Sequence, residues 1–306
     1  MLQNSVGSTL TFVCSKLVAW MKIGSLLRGL IWRRKVGIAL YHSVDPEVFE
    51  AHLRVLKRNY NLISLGTLVD ALGSDDWGQI PSNALVITFD DGMKDVYELR
   101  GLLAENHVPA MVYLVSDLVG THRHFWFNEV DDPQVVERLM REPNSARLAY
   151  LSRHVGYTEH REYEERQALS MDEIHDMAAS GVQFGGHTAS HPILPACEDS
   201  AARREIVAAK AELEAKTGLS IEHFCYPNGD YTARDEDLVR HAGYRSARTV
   251  ERGLNGRGTS PYRLRIVDVL EDRSAADLEL IECRLVWYGI KQWFGETCRE
   301  CLPRKN

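Results

Sequence analysis

The sequence predicts an α/β fold built on a largely parallel sheet, closed or open, and three observations carry that expectation. Six short apolar runs with β-branched or aromatic content, at 36–41, 84–89, 110–115, 182–184, 221–226 and 263–269, have the length of strands. Helical patterns lie between them, and strands that alternate with helices build parallel sheets. Four of the runs also deliver polar, ionisable or turn residues at their carboxyl ends. In α/β barrels that is the face where strand ends converge and active sites sit.

Along the chain, residues 1–35 are basic and partly apolar and are expected to be helical. Lys16, Lys22, Arg28, Arg33, Arg34 and Lys35 fall there with no acid, against a net charge of −7 for the whole chain. Such a segment suits association with an anionic membrane surface. The plainer alternative is a helix that covers one end of the domain with its basic residues solvated. Lys16, Lys22 and Arg28 keep the apolar runs below the ~20 residues a membrane span requires, and there is no clean cleavage-site pattern. The expected location is the cytoplasm or the cytoplasmic face of the inner membrane.

From 36 to 270 the pattern is that of one catalytic domain. The 36–41 run leads into His42, and 84–89 leads into Asp90-Asp91-Gly92. A polar stretch near 120–169, containing Phe125-Trp126-Phe127, looks like an insertion of the kind that forms binding loops, or else a variable excursion. Ser170-Met171-Asp172-Glu173 is a capping box, and its helix stops at Gly181. The 182–184 run passes through Gly185-Gly186 into His187-Thr188-Ala189-Ser190-His191-Pro192. A helix over 201–217 sets Ile206, Ala209 and Leu213 on one side and ends at Gly218. The 221–226 run then enters Pro227-Asn228-Gly229, and 271–306 reads as a helical tail.

Composition narrows the function. Hydrophobic residues at 44% permit a sizeable core, and the absence of a long basic run argues against nucleic acid as a partner. The six cysteines show no paired zinc-finger spacing, and Cys298-x-x-Cys301 is the only close pair. A reduced compartment suits them.

Two adjacent carboxylates after a buried strand repel one another, and burial penalises their charge. A nearby cation resolves that conflict; a simple Asp-Asp-Gly turn, with Asp90 capping a helix, is the competing reading. His187 and His191 shift the balance. Two imidazole nitrogens and one carboxylate bind zinc-like metals and leave one position open for water. Phe125, Trp126 and Phe127 either stack on a ligand or pack the insertion onto the domain.

These residues carry a resemblance. Thr88-Phe89-Asp90-Asp91-Gly92 resembles the TFDDG motif of the polysaccharide deacetylases, the NodB-homology domain of carbohydrate esterase family four. His187-Thr188-Ala189-Ser190-His191-Pro192 is similar to their H-[ST]-x-x-H-P motif, and Phe224-Cys225-Tyr226-Pro227-Asn228-Gly229 to the F-x-Y-P-x-G of one branch. Tyr41-His42-Ser43-Val44 resembles the YHxV strand of that same branch. The resemblance implies a distorted (β/α) barrel with fewer than eight strands. It also implies one divalent metal ion, zinc by preference, held by Asp91, His187 and His191. Asp90 would be the general base, and the backbone amide of Asn228 would stabilise the oxyanion. The implied reaction removes N-acetyl groups from amino sugars of a glycan, giving acetate and a free amine.

The chain departs from the family pattern in two places. Cys225 and Asn228 stand where many members have arginine and tyrosine. The arginine orients the base, and Arg265 on the 263–269 strand is the expected substitute, unless it is an ordinary surface residue. No leucine-x-histidine motif supplies the general acid, so His42 is expected in that role. Two rival readings remain: a deformylase or deacetylase of a lipid-linked sugar at the inner membrane, and an inactive glycan-binding homologue.

Overall fold

Every residue from Ala84 to Phe89 is buried, as is every residue of 35–41 after Lys35. Continuous apolar runs of this kind belong to parallel strands covered on both faces. The computed structural model describes residues 32–278. The strands are β1 (Lys35–Tyr41), β2 (Asn61–Leu62), β3 (Ala84–Phe89), β4 (Met111–Leu114) and β5 (Gln183–Gly186), followed by β6 (His223–Cys225), β7 (Ser246–Arg252), β8 (Asn255–Gly256), β9 (Leu264–Ile266) and β10 (Asp268–Val269). The main path runs β10-β1-β3-β4-β5-β6-β7-β9, parallel throughout. β2 adds to β3, and β8 pairs antiparallel with β1.

The two ends of that path are one piece of chain. β9 pairs with β7 and β10 pairs with β1, with Val267 between them donating to Ile38 O at 2.8 Å. The run 264–269 therefore brings the eight-strand path into a nearly closed, barrel-like sheet, with β9 and β10 as two halves of one pass of chain.

Alternate residues face two cores. Val36, Ile38, Leu40, Val86, Met111, Tyr113, Cys225, Leu264 and Ile266 pack with Leu65 and Leu68 of the helix Leu65–Ser74. Ala39, Tyr41, Ile87, Phe89, Val112 and Phe224 instead meet residues of the surrounding helices, such as Phe49, Leu53, Ile174 and Ile206.

On the main path, β7 is the strand that the apolar pattern did not reveal. Its buried positions include Ser246, Arg248 and Thr249, so it carries no apolar run. The helix expected over 201–217 begins at Asp199 and includes a π-helical turn at Arg204–Ala208 before Gly218 ends it with φ 68°. Both halves of the Ser170/Glu173 capping box form.

The 120–169 stretch folds on itself. Helices Pro133–Leu139 and Asn144–Val155 surround a small core of Trp126, Leu139, Leu151 and Tyr157. Its far end is stitched to the Asp-Asp-Gly loop: Leu169 N donates to Gly92 O (2.9 Å) and Lys94 N to Gln167 O (2.8 Å). Most of the basic segment expected over 1–35, and the tail beyond Leu278 with Cys298 and Cys301, lie outside the described residues. Among the described residues no helix is long and apolar enough to cross a membrane.

Candidate active site

The Asp-Asp-Gly turn separates its two carboxylates. Asp90 closes the strand, its N–H donating to Tyr41 O at 2.8 Å, and Asp91 turns the chain with φ 69°. Asp91 Oδ1 lies 3.3 Å from His187 Nε2 and 3.3 Å from His191 Nε2. All three residues are buried.

The His187 tautomer follows from its other nitrogen. Nδ1 sits 2.8 Å from Cys225 O, and a carbonyl only accepts, so Nδ1 carries the hydrogen. Nε2 then faces Asp91 with a lone pair. Asp91 Oδ1 is buried and has no hydrogen-bond donor. Lone pairs converging on one dry point repel unless a positive charge lies among them. Separations of 3.3 Å are those of two donors bound about 2 Å from a tetrahedral ion. The set Asp91, His187 and His191 thus fits a divalent cation.

Without a cation only protons can relieve that repulsion. Burial works against the His187 charge, but its neighbours, Asp91 among them, raise it well above the usual imidazole range. Protonated imidazoles in turn hold the Asp91 carboxyl well below its own range, against the effect of burial. Burial pushes His191 down, toward the neutral form that a metal needs.

Asp90, Asp91's neighbour, looks the other way, toward Arg248. That guanidinium is fully buried, and its Nη2 contacts both Asp90 oxygens and lies 2.8 Å from Cys225 Sγ. Burial opposes the Arg248 charge, yet the Asp90 carboxylate outweighs that, and the group stays protonated. Cys225 and Arg248 are register partners across β6 and β7. The arginine absent from position 225 therefore arrives from the next strand. Asp90, His187 and Cys225 also lie close enough to share an ion, but Arg248 Nη2 touches both Asp90 and Cys225 and is itself the cation there.

The expectation that Arg265 orients Asp90 is therefore corrected. Arg265 lies between Leu264 and Ile266, whose side chains face the inner core, so strand alternation sends it outward. It is 42% exposed, with Glu251 at 3.8 Å as its acidic neighbour.

His42 directly follows β1 and is gripped by Glu271, which accepts from the His42 N–H (2.7 Å) and pairs with Nδ1 (2.9 Å). The ring remains 38% exposed. Burial works against its charge, but the Glu271 bond and the Asp91 and Asp90 charges outweigh it, and its pKa rises to about 9.

Asn228 follows β6 with φ 54° and an exposed side chain, and Gly229 behind it has no room for a Cβ, which would lie 2.5 Å from Val250 N. Among the described residues eight non-glycines have positive φ, and half of them (Asp91, Thr188, His191 and Asn228) sit in these strand-end loops. Strain of ~1–3 kcal/mol per residue commonly gathers at functional sites.

Of the aromatic triplet, Phe125 and Trp126 are buried and pack the 120–169 stretch, and Trp126 Nε1 donates to His191 O at 2.9 Å. Phe127 is half-buried, edge-on to the His191 ring at 5.2 Å.

Arg248 and Glu271 were missed by sequence reasoning. A βα count could have found the first, because the helix Ala233–His241 needs a strand after it. Nothing local marks Glu271.

The polysaccharide deacetylase family profile matches residues 78–247. Similar solved structures include the Streptococcus pyogenes deacetylase PplD in complex with acetate, at 18% identity over 80% of this chain and 96% of that one, TM-score 0.59. IcaB from Ammonifex degensii shares 19% identity over 82% and 98% of the two chains, TM-score 0.61. A de-N-acetylase from Aggregatibacter actinomycetemcomitans shares 15% over 81% and 99%, TM-score 0.56. At such identities the likeness is one of fold. No curated protein matches the sequence.

Proposed function

Because the chain belongs to the polysaccharide deacetylase family, a family of amide-hydrolysing enzymes, we propose that it removes N-acetyl groups from amino sugars of a glycan, with a divalent cation at Asp91, His187 and His191. The observation that carries this reading is the undonated Asp91 Oδ1 facing two imidazole nitrogens in a buried site. A cation there, zinc by the chemistry of the donors, supplies Lewis acidity that polarises a carbonyl and acidifies water.

The protein's own groups divide the remaining work. Asp90, outside the triad and fixed by Arg248, takes the proton from the attacking water. His42, held protonated by Glu271, returns a proton to the departing amine. The Asn228 amide is assigned to the oxyanion, supported by its place in the loop after β6. Phe127 beside His191 offers an apolar edge to the substrate.

The deciding experiment is acetate release from chitooligosaccharides, peptidoglycan and exopolysaccharide, with formate assayed in parallel. Wild-type protein is expected to carry one zinc per chain by elemental analysis, and His187→Ala to lose it along with activity. Full metal content in that variant would contradict the ligand set.

His42 also gives a pH prediction. In the metal-free protein its raised pKa keeps the acid form through neutral pH and loses it as pH rises through about 9. Any stability it contributes follows the same sign: fully present below the unfolded value of ~6.5 and lost as pH climbs through the folded value. Glu271→Gln removes the partner, so the alkaline limb of kcat/KM in the zinc-loaded enzyme should move to lower pH. An unmoved limb would detach His42 from the role of acid.

A further inference from the structure

Behind the loop that presents His191 lies a further buried carboxylate. Glu205 is 4% exposed, and its Oε2 accepts from the backbone N–H groups of Ala189 (2.9 Å) and Ser190 (2.8 Å). Its Oε1 accepts from the Ser190 hydroxyl (2.8 Å) and from Arg204 Nη1 (3.2 Å). The other side of the loop is held by backbone: Ser116 N donates to Thr188 O (3.1 Å) and Asp117 N to Ala189 O (2.9 Å). Arg204 ties the two sides together by reaching Asp117 Oδ2 at 2.9 Å.

The loop needs such support. Thr188 and His191 both have left-handed backbone, at 68° and 56°, conformations that cost ~1–3 kcal/mol each outside glycine. Without outside bonds the chain would relax, and His191 Nε2 would leave the point it shares with His187 and Asp91. Glu205 reaches the loop from the π-helical turn Arg204–Ala208, and wide turns of that kind occur frequently at functional sites.

We propose that Glu205 is a positioning residue: by accepting the Ala189 and Ser190 amides it holds the loop in the shape that aims His191, and so sets the affinity of the triad for its cation. The inference rests on the reading of the triad as a cation site. It touches no ligand directly and acts by geometry, because one carbonyl-like oxygen does the holding. Glutamine can place its own oxygen where Oε2 stands, whereas alanine leaves two buried amides without an acceptor.

The experiment compares Glu205→Ala and Glu205→Gln with wild-type full chain. Zinc affinity is measured by chelator competition, and amide hydrogen exchange of segment 188–191 is followed in metal-free protein. Glu205→Ala should bind zinc about 10–100-fold more weakly, the usual loss when a group behind a ligand is removed. Exchange should quicken at Ala189 and Ser190 but not across the barrel. Glu205→Gln should stay within about threefold of wild type, since its amide oxygen keeps both backbone bonds. The proposal is overturned if the glutamine variant is as weak as the alanine one, if alanine changes neither readout, or if exchange rises uniformly, as for a merely structural residue. Wild-type protein that takes up no zinc would instead remove the cation reading, and the exchange comparison would still decide whether Glu205 holds the loop.

Discussion

Asp90→Asn protein is expected to retain its cation and to lose about 10²–10⁴-fold in turnover, the usual worth of a positioned acid or base. Asparagine keeps the outline of the side chain but cannot take a proton. Asp90 stands outside the ligand set, so metal per chain should be unchanged while kcat falls. The substitution also leaves the buried Arg248 facing a neutral amide, so thermal stability has to be measured alongside. Equal turnover in folded, metal-replete variant would strip Asp90 of its role. Loss of metal instead would move it into the ligand set.

Arg248→Met should produce the largest fall in stability. It leaves the Asp90 carboxylate buried without its counter-charge, a change that typically costs about 3–5 kcal/mol. For a chain of this size that corresponds to a drop in Tm of roughly five to eight degrees. Turnover should fall as well, because the base loses its anchor. The double variant Asp90→Asn/Arg248→Met, which removes both charges, should recover much of the stability lost by the single one. Strictly additive effects would mean that the pair is not coupled, and the orienting role would go with it. Arg265→Met, by contrast, should stay within about 0.5 kcal/mol of wild type, as exposed positions usually do.

The contrast between these two arginines shows what could be read in the amino acids alone. Asp91, His187 and His191 were legible because they are local: each lies in a loop that follows a strand whose apolar run announces it. The same was true of Asp90 and His42. Arg248 was hidden because β7 spends its buried positions on Ser246, Arg248 and Thr249, and a strand without an apolar run gives no periodicity to find. Once β7 was missed, Arg265 on the following strand was the natural substitute, and only the alternation of β9 shows that it points away. Glu271 is further from recognition still. It meets His42 across 229 positions of sequence, through a barrel closure that no local signal encodes. The π-helical turn bearing Glu205 likewise read as ordinary α-helix, since one extra residue per turn hardly disturbs the apolar spacing of Ile206, Ala209 and Leu213.

Closure by the run 264–269 also constrains how this protein can be made. β1 leaves the ribosome early, yet its partner β10 is more than two hundred positions behind it. Until that last stretch emerges, β1 and β7 both carry unsatisfied edges, and bare edges recruit other chains. Distant pairings of this kind form slowly because their loop-closure entropy has to be met first. A nascent or stalled polypeptide ending before Leu264 would therefore be sticky as well as inactive. Its ligand loops would already be synthesised, but it would lack the segment that shuts the ring and clasps His42.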